Sequence, residues 1–180
     1  MLTKLKIYSA ISLIIGLFAV MLFGVTAYSV YDTVSNNTNF KRIVVASENN
    51  DQMRDAAYNI SAVMANTNGL MLQAALGNPV SENVAKHTVN VVKLARRNMD
   101  AFMASPFNTP EESRLAAEVN AAFNEVYKVA EIKLGYVHNP AGYSGSLEHD
   151  MELRTALRNK VDRYTDASAR MSESYIHASE

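Results

Sequence analysis

The sequence predicts an all-α protein in which an N-terminal transmembrane helix continues into an antiparallel up-down-up-down four-helix bundle, which we expect to be dimeric. Three observations predict this fold. The stretch from Ile7 to Val30 contains no charged residue, apolar residues beyond it recur every three or four positions, and prolines fall at only three places. Nothing after residue 30 alternates with period two, so a β-sheet is not expected.

The charge-free stretch is long enough to cross a membrane, since about 20 helical residues span a hydrocarbon core of ~30 Å. Lys4 and Lys6 precede it, and Asp32 is the first charged residue after it. Basic residues on the leading side favour a cytoplasmic N-terminus. The sequence therefore predicts a single-pass helix anchored from the cytoplasmic side.

A cleaved signal peptide is the alternative, with Val25-Thr26-Ala27 as the cleavage site. Such a peptide has an apolar core of only about 7–15 residues, so the longer stretch favours an uncleaved anchor. We expect residues 1–6 in the cytoplasm, a transmembrane helix at 7–30 and a periplasmic sensor domain at 31–180 of a bacterial inner-membrane protein.

The domain after residue 30 is predicted to form helices at 31–77, 81–104, 109–137 and 146–180. The first carries a heptad-like apolar stripe and stops at a Gly-Asn-Pro sequence. The stripe consists of Met53, Ala56, Ile60, Val63, Thr67, Leu70 and Ala74.

Helix starts are marked by capping residues. Ser81 is placed to cap the second helix, and Thr109 to cap the third. Pro110 follows at the first helical position and Glu112 three residues after the cap, which is the pattern of a capping box. Short connections between amphipathic helices favour antiparallel neighbours.

Composition excludes several classes of protein. A net charge of -1 provides no basic surface for nucleic acid, and the absence of cysteine excludes disulfides and thiolate metal sites. No phosphate-binding loop, nucleophile elbow or paired-carboxylate arrangement is evident. We therefore expect no enzymatic activity, no cofactor and no metal site.

The sequence resembles the transmembrane methyl-accepting chemotaxis receptors, in their serine- and aspartate-sensing branch. The opening Met1-Leu2, Lys4 and Lys6-Ile7 before the apolar run is similar to the start of that family, and Asn39-Phe40 falls where those receptors have the same pair. The similarity covers the layout of the whole chain.

The resemblance implies a binding site on the first helix, but its charges are missing. Receptors of this branch hold amino-acid carboxylates with three arginines, and those positions are Met64, Gly69 and Gln73 here. The family's asparagine matches Asn68, and its fourth-helix threonine falls near Asp150. Free serine or aspartate is therefore not expected to bind in the family's way, because its carboxylate would lack a charged partner.

The candidate ligand-binding residues are Asn66, Asn68, Gln73 and Asp150. The alternative for the asparagines is that they determine helix register in a dimer, as a buried Asn can do. The ligand is expected to be a small molecule or a liganded periplasmic binding protein that docks on the bundle.

By resemblance, the predicted function is that of a chemoreceptor sensor region. It would signal as a homodimer through a coupling protein and a histidine kinase, by way of a cytoplasmic region outside this sequence. Two alternatives stay open: the same bundle on a sensor kinase or cyclase, and a membrane-anchored structural bundle.

Overall fold

The computed structural model of the chain describes residues 2–177, with side chains from residue 12 onward. Across that range the protein is all-α, as predicted. Its elements are α1 (Leu2–Ala75), α2 (Glu82–Ala104), α3 (Pro110–Leu134), a 3₁₀ turn (Pro140–Gly142) and α4 (Leu147–His177). The predicted end of the fourth helix at residue 180 lies outside the described residues.

The part of α1 that begins at Ser12 is an apolar stretch that no other described element covers. From Ser12 onward it is long and apolar enough to cross a membrane by length and composition, and its most apolar window is 0% buried within the fold. Phe23 is 78% exposed and Val20 74%. A helix that is apolar on all sides and unpacked is typical of a membrane span.

The second part of α1 is the central element of the bundle, since it contacts α2, α3 and α4. Each helix buries one stripe of side chains, as the three-to-four spacing predicts. Apolar residues from all four helices form one main core. Its largest members are Met53, Ile60, Met64, Met99, Phe102, Phe123, Leu157 and Tyr164.

The helices alternate in direction along the bundle. At one end, which we call the far end, Asn68 of α1 meets Lys133 of α3 and Asp150 of α4. At the other, the near end, Asn50 Nδ2 of α1 donates to Ser168 Oγ of α4 at 2.9 Å. The near end adjoins the apolar part of α1. Late residues of α1 and α3 thus meet early residues of α4, as an antiparallel bundle requires.

The predicted caps of α2 and α3 are confirmed. Ser81 and Thr109 are the N-caps, and Thr109 Oγ1 accepts a hydrogen bond from the Glu112 N–H at 3.1 Å. The Glu112 carboxylate differs from the capping-box expectation in one detail: it accepts from the N–H of Asn108, the residue before the cap, at 2.7 Å. This bond joins the start of α3 to the α2–α3 loop.

The C-terminal ends of α1 and α3 are formed by different backbone hydrogen-bond patterns. Gly77, at φ 73°, follows α1, and the Asn78 N–H donates to Gln73 O at 3.0 Å in a Schellman arrangement. By contrast α3 ends at Leu134, before the predicted end at residue 137. The N–H groups of Gly135 and Tyr136 instead bond three residues back, which tightens the chain into turns.

Gly77 and Gly69 give a matched test of this end of α1. Gly77→Ala should destabilise the fold by about 1–2 kcal/mol, because a Cβ is strained in the left-handed region. Gly69→Ala should stabilise it by about 0.5–1 kcal/mol, because Gly69 is helical and a Cβ there meets open space. Thermal unfolding of both variants measures the difference, and equal effects would contradict the assigned helix end.

Candidate functional site

The far end of the bundle contains a buried ion pair. The Lys133 ammonium contacts the Asp150 carboxylate, and both side chains are almost fully buried, at 3% and 2% exposure. Lys133 Nζ also donates to Asn68 Oδ1. One cation therefore links three helices, because Asn68 lies on α1, Lys133 on α3 and Asp150 on α4.

The α3–α4 loop covers this ion pair with an aromatic ring. The Tyr143 ring centroid lies 5.2 Å from Lys133 Nζ, which places the cation within cation–π range. Burial, followed by the negative charge of Asp150, raises the pKa of the Tyr143 phenol. A Cβ at Gly145 would collide with the Tyr143 ring, so this close approach requires glycine there.

The structure brings two of the four sequence-predicted site residues together. Asn68 and Asp150 meet on Lys133, whereas Asn66 and Gln73 lie exposed on α1. Asp150 Oδ1 is buried and accepts no hydrogen bond of ordinary geometry within the described residues, although the Tyr143 phenol lies close enough to the carboxylate for its pKa to be raised. The assignment of these four residues to ligand binding stays a prediction.

Lys133 is the residue that sequence reasoning missed. Ile132 continues the apolar spacing of Val126 and Val129 in the sequence, but it is 47% exposed and Lys133 is buried beside it. A buried lysine is tolerated only with a charged partner, and that partner lies on another helix. The one available signal was the position of Asp150 within the first turn of α4.

The three positions that carry arginine in the resembling receptors are uncharged and differently placed. Met64 is fully buried in the core, while Gly69 and Gln73 are exposed. Lys133 is the cation of this cluster, and its charge is already neutralised by Asp150. The Asn68–Lys133–Asp150 cluster thus joins three helices, and its one cation is already paired and not free for an amino-acid carboxylate.

A second buried polar cluster lies at the near end. Tyr164 of α4 donates its hydroxyl to Glu112 Oε1 of α3 at 2.8 Å, and both residues are buried. Asn49 of α1 donates to Pro106 O at 3.3 Å in the same region. Burial first, and the hydrogen bond to Glu112 second, raise the pKa of Tyr164.

These features define a class: a four-helix bundle with polar clusters at both ends, continuous with a helix of membrane-spanning length. A family model described as Tar ligand binding domain homologue matches residues 1–138. Because the match covers more than half of the chain, the protein belongs to this family of chemoreceptor ligand-binding domains. No curated protein and no solved structure matches the chain.

The far-end ion pair gives a stability test. Lys133→Met should destabilise the bundle by about 3–5 kcal/mol, because it leaves the Asp150 carboxylate buried without a cation. Adding Asp150→Leu should recover most of that loss, because the second change removes the unpaired charge. Chemical denaturation of the single and double variants measures both effects.

The matched control breaks an exposed pair instead. Arg158 and Asp162 approach to 4.0 Å with side chains 82% and 66% exposed. Asp162→Asn should therefore cost less than about 1 kcal/mol. A comparable loss for Asp162→Asn and Lys133→Met would contradict the view that burial makes the Lys133 pair structurally important.

The near-end cluster predicts an alkaline loss of stability. Because the pKa of Tyr164 is raised on folding, the folded chain keeps the phenolic proton at pH values where the unfolded chain loses it. The stabilisation is complete below about pH 10 and decreases as the pH rises above it.

Tyr164→Phe should therefore reduce the decline in stability above pH 10. At neutral pH it should cost about 1–3 kcal/mol, because Glu112 loses a buried donor. Urea unfolding between pH 8 and 11 measures both, with Tyr58→Phe as the control because Tyr58 is 74% exposed. If the stability of Tyr164→Phe fell above pH 10 as steeply as that of the wild-type chain, the Tyr164 phenol would not be the cause of the alkaline loss.

Proposed function

We propose that this chain is the sensor region of a transmembrane chemoreceptor, which detects a small molecule outside the inner membrane and passes the signal inward. The observation that carries the proposal is the continuity of α1 from Leu2 to Ala75. One uninterrupted helix contains both the apolar segment and the central face of the ligand-binding bundle. Any change in how the bundle packs on α1 therefore acts directly on the apolar segment.

The proposed topology places residues 1–6 in the cytoplasm, 7–30 in the membrane and 31–180 in the periplasm. The uncovered apolar surface of α1 supports this arrangement, since lipid would cover it. Asn68 lies about 57 Å beyond residue 30 at helical rise. The bundle would thus sense far from the membrane and report near it, where α4 ends at His177.

The proposed output requires a dimer and a cytoplasmic region that couples to a histidine kinase. Family membership supports ligand binding, and the dimer and the coupling partners are inferred from the resemblance to chemotaxis receptors. Signalling needs only a small bias between two packings of α1 and α4, which a ligand supplies by binding one of them more tightly. The proposed role is binding without catalysis.

The decisive experiment is thermal unfolding of the full chain in phospholipid nanodiscs against a panel of amino acids, sugars and organic acids. A compound present at 100 times its Kd should raise Tm by about 5–10 °C, since it stabilises the native state by about 2.7 kcal/mol. Variants Asn66→Ala, Asn68→Ala and Gln73→Ala then test the predicted site. Asn90→Ala, exposed on α2, is the matched control.

An unchanged Tm with every compound would contradict direct sensing of these compounds. In that case docking of a liganded periplasmic binding protein becomes the remaining route. Equal ligand responses in Asn68→Ala and Asn90→Ala would exclude Asn68 from the site while leaving the sensor role intact.

A further inference from the structure

A groove between α1 and α4 begins at Met151, which follows Asp150 of the far-end ion pair in the sequence. Its volume is about 470 Å³, which is within the range of small-molecule sites. Residues of α1 around Ala57 and of α4 from Met151 to Val161 line it. It is separate from the Asn68–Lys133–Asp150 cluster, because none of those three residues lines it.

The floor of the groove is apolar. Leu157 and Val161 present the edge of the main core there, and the Tyr58 ring stands at its side with 74% of the residue exposed. Met151, at the upper end, is 59% exposed. Apolar surface of this kind is favourably covered by a hydrocarbon chain or a ring.

The wall on α4 carries two cations without adequate partners. Arg154 and Arg158 are one turn apart on the same face of the helix. Among the described residues Arg154 has no ion pair or hydrogen bond, and Arg158 has only its 4.0 Å contact with Asp162, which is exposed. None of the residues that line the groove is acidic.

Two guanidinium groups beside an apolar floor define the chemistry of the occupant. A guanidinium binds a carboxylate through two parallel hydrogen bonds, and Ser61 and Thr155 provide hydroxyl donors in the same groove. We infer that this groove binds an amphipathic monocarboxylate, with the carboxylate on Arg154 and the apolar part over Leu157 and Val161. This inference rests on the proposed sensor function and names the ligand class.

A second copy of the chain is a weaker occupant. In a two-fold contact centred on the groove, α4 of each subunit would face α1 of the other, because the rotation exchanges the two sides of the groove. Since none of the groove residues is acidic, such a contact would bury Arg154 and Arg158 without a carboxylate partner. A carboxylate ligand supplies that partner, which favours it as the occupant.

The test measures binding of benzoate to the full chain in nanodiscs by calorimetry, with empty nanodiscs as the blank. Benzyl alcohol lacks the charge and acetate lacks the ring, so both should bind at least about tenfold more weakly than benzoate. Arg154→Gln should weaken benzoate binding by about tenfold or more. Arg170→Gln, exposed on the same helix outside the groove, should leave it unchanged.

Arg154→Lys is the control for a folding defect in Arg154→Gln. It keeps the charge but loses the two-bond geometry, so it should bind benzoate with intermediate affinity. The Tm of each variant without ligand should equal that of the wild-type chain. The inference is supported if the order of affinity is wild type, Lys, then Gln.

Three results would overturn the inference. Benzoate binding that survives Arg154→Gln places the site elsewhere. Failure of benzoate while a panel compound without a carboxylate raises Tm leaves the sensor role intact but removes this ligand class. No binding of benzoate, together with altered subunit association of Arg154→Gln in ultracentrifugation, assigns the groove to a second copy. If no compound of the panel raises Tm, the proposal of direct sensing is contradicted as well.

Discussion

The architecture depends on the attachment of three shorter helices to one face of a long α1. The Met53-to-Leu70 stripe of α1 supplies much of the buried surface, and α2, α3 and α4 each contact it. No other element of the described chain covers the apolar segment around Phe23. The same helix therefore requires two environments, protein on one part and lipid on the other.

Apolar stripes alone specify this bundle poorly, because one-turn slips of Val, Leu and Ala residues cost little. The two polar clusters supply the missing specificity. A slip of α4 by one turn would separate Asp150 from Lys133 at the far end and Tyr164 from Glu112 at the near end. Each separation leaves a buried polar group without its partner, which is far more costly than a change of apolar neighbours.

The sequence was sufficient to predict the helix caps and the main buried stripe, which depend on local chemistry. The caps at Ser81 and Thr109 follow from side-chain hydrogen bonding within one turn, and the stripe on α1 follows from helical period. Lys133 could not be identified in this way, because its burial depends on a carboxylate that lies on a different helix.

Arg96 escaped prediction for the same reason. Its guanidinium lies 4.1 Å from the Tyr127 ring centroid and donates to Asn124 at 2.9 Å, and both partners are on α3. The adjacent pair Arg96-Arg97 gives no sign of this in the sequence. Pairings between helices require knowledge of which faces meet, which a single sequence does not contain.

The positions of the cations bear on how the domain would recognise its ligand. In the receptors that it resembles, arginines of the first helix bind the carboxylate. Here one of those positions is Met64, which is buried in the core, and the charge of Lys133 is neutralised by Asp150. An arginine without an ion pair among the described residues lies instead on α4, at Arg154 beside the groove shared with α1. Since a charge-assisted hydrogen bond from an arginine strengthens the binding of a carboxylate, the helix that carries the arginine determines which helices a ligand can bridge. A ligand held there would contact α1 and α4 together, and α1 continues into the apolar segment.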